Sequence, residues 1–128
     1  MPPKRPVPTP TDFELEILQV LWERDDRSVR EIHEILSRRR ELVYTTVLKT
    51  LQIMTEKGLV RRIAAGKAHL YSAAIDRSRT QDRLIDELST RLFSGSAAQL
   101  AMHALSAGRA SEDELQALRA LIDRKSRP

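Results

Sequence analysis

The chain has 128 residues, 22 Lys+Arg against 18 Asp+Glu for a net charge of +4, three His, six Pro, four Gly and no Cys. That length suits one compact domain with at most an appended subdomain, and it excludes a large multidomain enzyme. Without cysteine there is no disulfide framework, thiolate zinc site, iron–sulfur cluster or thiol redox switch.

Apolar residues at 41 % and charged residues at 31 %, with few aromatics, fit a soluble helical protein. No apolar run reaches the roughly 18 to 20 residues of a membrane span, and the opening MPPKRPVPTP has no apolar segment of the signal-peptide kind. The expected location is cytoplasmic, with no membrane partner.

Residues 1–10 carry five of the six prolines and no apolar periodicity, so they read as a flexible arm whose Lys4 and Arg5 are available to an anionic partner. Folded structure is expected from Thr11. Thr11 and Glu14 have capping-box spacing, and Phe13, Ile17, Leu18, Leu21 and Trp22 then recur at helical intervals, giving a first helix over 11–24 with Trp22 in the core. A second capping box, Ser28 with Glu31, opens a short helix over 28–39 carrying Val29, Ile32, Ile35 and Leu36 on one face, with His33 at the surface. The apolar pattern resumes at Val43, Val47, Leu51 and Met54 and stops at Lys57-Gly58, where a left-handed residue ends a helix over 44–57.

After Gly58 two β-capable runs, Leu59 to Ile63 and Ala68 to Ser72, flank a turn containing Gly66 and read as a hairpin. Three helices and a hairpin with short connections make a winged helix-turn-helix over 11–75. The remaining residues, 76–128, are helical in three stretches. Leu84, Ile85, Leu88, Leu92 and Phe93 mark the first, 97–107 the second, and a third capping box, Ser111 with Glu114, opens the last with Leu115, Leu118, Leu121 and Ile122. About 50 residues make a marginal core alone, so a second subunit is expected to cover these helices.

The charge is unevenly placed. Residues 38–72 hold eight basic residues (Arg38, Arg39, Arg40, Lys49, Lys57, Arg61, Arg62 and Lys67) against Glu41 and Glu56, a net +6, while 14 basic and 16 acidic residues elsewhere leave −2. Backbone phosphates are the natural counter-charge for such a helix and hairpin. With Val47, Leu51 and Met54 turned inward, Thr45, Lys49, Gln52 and Glu56 point outward with Thr46 beside them. Thr, Gln and Lys are groups that can meet a thymine methyl, adenine, and guanine or a phosphate. Arg61, Arg62 and Lys67 would then lie along the backbone or minor groove, fixing register more than reading sequence, with His69 near a phosphate.

Catalytic patterns are absent: there is no HExxH, GxSxG, P-loop or GxGxxG, and His33, His69 and His103 fall on three elements without a carboxylate pair. The reading is not an enzyme, with no cofactor and no metal. Two other readings compete with DNA binding: a winged-helix protein-interaction module with an acidic partner, and a metal-responsive regulator using His33, His69 or His103.

The segments Val43-Tyr44-Thr45-Thr46-Val47, Leu51, Glu56-Lys57-Gly58-Leu59-Val60, Gly66-Lys67 and Leu70-Tyr71 resemble the penicillinase-repressor family, the BlaI/MecI/CopY group. Glu14-Leu15-Glu16-Ile17-Leu18 to Leu21-Trp22 looks like its first helix and Ser111 to Ile122 like its last, so the resemblance spans about 11–124. It implies a mainly α fold with a small β-hairpin wing, in which a winged helix-turn-helix is followed by a C-terminal three-helix dimerisation region. It also implies a homodimeric transcriptional repressor on a palindromic operator in double-stranded DNA. Under that resemblance Thr45, Thr46, Lys49, Arg61 and Arg62 contact DNA, and Leu84, Leu88, Leu92, Leu115, Leu118 and Leu121 form the dimer core. Members released by a regulatory protease are cut at an Asn-Phe bond; here His103-Ala104 stands in its place, which argues against release by cleavage. Copper-sensing members use C-terminal cysteines, which this chain lacks. Ile53, outward-facing on the third helix, stands where relatives often carry Arg, which removes one phosphate contact.

Overall fold

The structure is a computed structural model that describes residues 7–108 and 110–128; Lys4 and Arg5 of the N-terminal arm lie outside the described residues. The element order is α1 (Asp12–Glu23), β1 (Arg27–Ser28), α2 (Val29–Ser37), α3 (Tyr44–Lys57), β2 (Val60–Ala65), β3 (Ala68–Ala73), α4 (Arg77–Leu92), α5 (Ala97–Ser106) and α6 (Glu112–Ser126). The chain forms two units, the first ending at Asp82 and the second beginning at Arg83.

In the first unit the capping boxes expected at Thr11/Glu14 and Ser28/Glu31 both form, each with the hydroxyl accepting from the Glu N–H and the carboxylate accepting from the cap N–H. Helix α2 stops at Ser37, short of the expected 39, because the Arg38 and Arg39 N–H groups turn to Ile35 O and Leu36 O in a tightened last turn. Helix α3 ends in a Schellman motif: Gly58, at φ +83°, donates to Thr55 O, and the Leu59 N–H reaches back to Met54 O at 2.9 Å. That geometry turns the chain directly into β2.

The sheet has order β1-β3-β2, with both pairings antiparallel. Strands β2 and β3 pair from Val60↔Ala73 to Ala65↔Ala68 around the two-residue loop Gly66-Lys67, where Gly66 has the positive φ the turn requires. The two-residue β1, not anticipated from sequence, adds Arg27 and Ser28 to the other edge of β3. Beside it the turn after α1 is clipped to the sheet. Asp26, at φ +61°, accepts from the Ser72 hydroxyl at 2.8 Å, and Asp25 accepts from the Ala73 N–H at 3.1 Å.

The core joins Ile17, Leu18, Val20 and Leu21 of α1, Val29, Ile32 and Leu36 of α2, Val47, Leu51 and Met54 of α3, and Leu59, Val60 and Tyr71 of the hairpin. Val7 packs against its margin, so ordered packing reaches back before Thr11. Trp22 is half-buried rather than fully in the core, and its indole N–H donates to Ile75 O at 3.1 Å.

Helix α4 begins seven residues before Leu84, the first residue of its apolar pattern, because Asp76 caps it: its carboxylate accepts from the Arg79 N–H and its carbonyl from the Thr80 hydroxyl. In the second unit Ser96 caps α5, and the third capping box, Ser111/Glu114, opens α6 as expected. Among the described residues of this unit Ser89 alone is buried.

Candidate nucleic-acid interface

One face of α3 supplies the core and the other is open. Val47, Leu51 and Met54 are fully buried, while Thr45, Thr46, Lys49, Gln52, Ile53 and Glu56 are exposed. The neighbouring Thr50 hydroxyl is turned back onto Thr46 O at 2.8 Å, so it is committed within the helix. The outward row is therefore two threonines, a lysine, a glutamine, Ile53 and Glu56, as the helical wheel required.

Arg61, Arg62, Lys67 and His69 are all exposed on the wing. The strand register divides them. Cross-strand partners share a face and successive residues alternate, so Val60, Arg62 and Ala64 lie on one face with Ala73, Tyr71 and His69. Val60 and Tyr71 on that face are buried against the helices. Arg62 and His69 thus extend the core-side face toward the wing tip, whereas Arg61 and Ile63 project from the opposite face. An open cleft between α2, α3 and the wing has Tyr44 and Leu48 on one wall and Lys67 and His69 on the other.

Two cations counted in the positive segment are withdrawn from it. The Lys57 ammonium lies 2.9 and 3.2 Å from the two carboxylate oxygens of Glu14, whose side chain is almost wholly buried. Burial would raise the Glu14 carboxyl, but the Thr11 N–H and the Lys57 ammonium outweigh it and hold the group below its ordinary value. Arg40 reaches Glu16 at 2.8 Å and lies over the Phe13 ring, 5.3 Å from its centroid. These two residues tie α1 to the ends of the helix-turn-helix; Arg38, Arg39, Lys49, Arg61, Arg62 and Lys67 remain as exposed cations.

The histidines do not converge. His33, expected at the surface, is half-buried with Nε2 2.6 Å from Leu42 O, and a carbonyl only accepts, so this nitrogen carries the proton and donates. His69 is exposed on β3, and His103 on α5 sits beside Phe93 with ring centroids 5.9 Å apart. Among the described residues no three His, Asp or Glu side chains are grouped as metal ligands.

Of the leucines expected to meet a partner, Leu84, Leu115 and Leu118 are half-buried, while Leu88, Leu92 and Leu121 are 42, 67 and 40 % exposed. His103-Ala104 lies inside helix α5. No helix among the described residues is long and apolar enough to cross a membrane.

A winged helix whose third helix and hairpin both present exposed cations and hydrogen-bonding side chains belongs to the class of DNA-binding transcriptional regulators. A family model described as penicillinase repressor matches residues 10–124. The chain is 36 % identical over 110 residues to the transcriptional regulator BlaI of Mycobacterium tuberculosis, covering 84 % of this chain and 78 % of that protein. It is also similar to the solution structure of the DNA-binding domain of the repressor BlaI, with 26 % identity, TM-score 0.52, and coverage of 58 % of this chain and 90 % of that one. A further likeness is to the monomeric form of Bacillus licheniformis BlaI in complex with the blaP half-operator, with 26 % identity, TM-score 0.50, and coverage of 57 and 89 %. The chain belongs to the penicillinase-repressor family. It is a DNA-binding transcriptional repressor and not an enzyme.

Proposed function

We propose that the chain acts in the cytoplasm as a homodimer that represses transcription from a palindromic operator. Residues 11–75 bind one half-site and residues 76–128 join the two protomers. Helix α3 enters the major groove, where the Thr45 and Thr46 methyls meet thymine methyls, Gln52 pairs with adenine, and Lys49 donates to guanine or a phosphate. Arg62, Lys67 and His69 line the side of the wing nearer α3 and follow the backbone, with Arg61 reaching a phosphate from the other face. Leu84, Leu88, Leu92, Leu115, Leu118 and Leu121 form the shared core.

The observation that carries this reading is the open row Thr45, Thr46, Lys49 and Gln52 on a helix whose other face is locked into the core. The complex of B. licheniformis BlaI with a half-operator, a solved structure to which this chain is similar, supports it. The exposed leucines of α4 and α6 support the second copy, because a C2 dimer covers the same patch on both protomers and matches a two-fold operator.

Footprinting of the DNA upstream of the chain's own gene and its neighbours tests the reading. Two symmetric protected half-sites are expected, lost when Thr45, Thr46 and Lys49 are replaced together by Ala in a chain that stays folded and dimeric. Protection that survives the triple replacement would contradict the assigned surface. A chain that protects no DNA but binds acidic proteins would favour the interaction-module alternative.

A further inference from the structure

Helix α3 starts unlike α1, α2, α5 and α6. Thr11, Ser28 and Ser111 close capping boxes on α1, α2 and α6, and Ser96 caps α5, but the N-cap of α3 is Val43, which makes no side-chain cap hydrogen bond and is 65 % exposed. The start of α3 is held from the preceding helix instead. His33 of α2 donates Nε2–H to Leu42 O at 2.6 Å, and its ring meets that of Tyr44 edge-on, with centroids 5.7 Å apart and an interplanar angle of 77°. One imidazole therefore grips the residues on both sides of the N-cap. Leu42 also packs against the core, so the grip connects the turn to the body of the unit.

We propose that His33 is a positioning residue for operator recognition: it fixes where α3 begins and how it is rotated, and so where Thr45, Thr46 and Lys49 meet the bases. The proposal rests on the DNA-binding reading above. Base-edge hydrogen bonds weaken steeply with misalignment, whereas long Lys and Arg side chains follow a phosphate through small shifts. Loosening the start of α3 therefore lowers selectivity more than it lowers general DNA affinity.

Two variants of the full chain separate the hydrogen bond from the ring. His33→Phe keeps a ring against Tyr44 and removes the donor; His33→Gln keeps a donor and removes the ring. For His33→Phe the operator affinity is expected to fall roughly five- to tenfold, the scale of one lost orienting hydrogen bond. Its affinity for unrelated duplex DNA stays within about twofold, because phosphate contacts carry that binding. Amide exchange in the DNA-free protein should also speed up at Thr46 and Val47, whose N–H groups bond to Val43 O in the first turn. His33→Gln should restore both readouts to near wild type.

A His33→Phe chain with unchanged operator affinity and unchanged exchange would overturn the proposal. So would equal losses on operator and unrelated DNA in step with a lowered Tm, since that pattern belongs to general stability. A Gln variant as weak as Phe would overturn the role of the donated hydrogen bond. If the wild-type chain itself fails to distinguish operator from unrelated DNA, the DNA reading falls and takes this role with it, while exchange at Thr46 and Val47 still reports whether His33 holds the helix start.

Discussion

In the N-terminal unit the apolar side chains of three helices and a hairpin close on one another, and Ile17, Leu18, Ile32, Val47, Leu51, Met54 and Leu59 have no measurable exposure. The C-terminal unit carries as regular an apolar pattern on α4, α5 and α6. Yet its one buried described residue is the polar Ser89, and Leu92, Met102 and Ile122 are each more than half exposed. Sequence periodicity is alike in the two regions, so the difference lies in what each pattern is for. A hairpin and three short helices enclose a core within one chain, whereas three helices of about 45 residues leave apolar stripes that need a cover. The proposed second copy supplies that cover.

The sharpest way to break this contrast is to damage each region and ask whether the loss depends on protein concentration. Leu51→Ala empties a fully buried site, and urea unfolding should show a loss of about 2–5 kcal/mol that is the same at every protein concentration. Leu88→Asp places a carboxylate on the exposed stripe of α4. Sedimentation equilibrium should show the dimer dissociating at micromolar concentration, a loss of about 2–3 kcal/mol in association, with half-site binding retained. A Leu88→Asp chain that remains dimeric, or a wild-type chain that is monomeric, would remove the proposed division of labour.

Smaller effects separate cations that face DNA from those held inside the protein. Arg62→Ala should weaken DNA binding by about 1 kcal/mol across all sequences and reduce the salt slope by about 1 per protomer. Lys57→Ala, although from the same positive segment, should leave that slope unchanged and instead lower stability, because it strips the partner from buried Glu14. Mobility-shift titrations at several salt concentrations distinguish the two outcomes.

The smallest effect is on pH. The Glu14 carboxyl sits below its ordinary value of 4.5 in the folded chain, so its contribution is present above that value and is lost as pH falls through the folded value. Glu14→Gln should therefore be less stable than wild type at neutral pH, with the difference shrinking as pH drops below 4.5. A gap that is constant with pH would show that the pair with Lys57 contributes nothing through ionisation.

Features encoded by near neighbours in the chain were legible. The three Ser/Thr-x-x-Glu capping boxes, the Gly58 stop, the buried row Val47, Leu51 and Met54, and the hairpin around Gly66 each depend on residues within one or two turns. Features set by distant partners were not. Lys57 and Arg40 counted as free charge because Glu14 and Glu16 lie 43 and 24 residues away. The two pairs that make β1, Arg27↔Tyr71 and Ser28↔Leu70, are too few to leave a periodic signal. The first turns of α4, Arg77 to Asp82, offer no apolar residue, and the signal for where that helix starts is Asp76, the cap ahead of them. His33 looked like a surface residue because nothing in the pattern of α2 reveals the carbonyl of Leu42 beside it.

If a dimer reads a two-fold operator with its α3 helices and wings, a salt titration on the footprinted fragment shows it. With Arg61, Arg62 and Lys67 each meeting a phosphate in both protomers, log K should fall linearly with log salt at a slope of about −5, with two protomers bound per site. Absence of binding at low salt, or binding that ignores salt, would contradict the account.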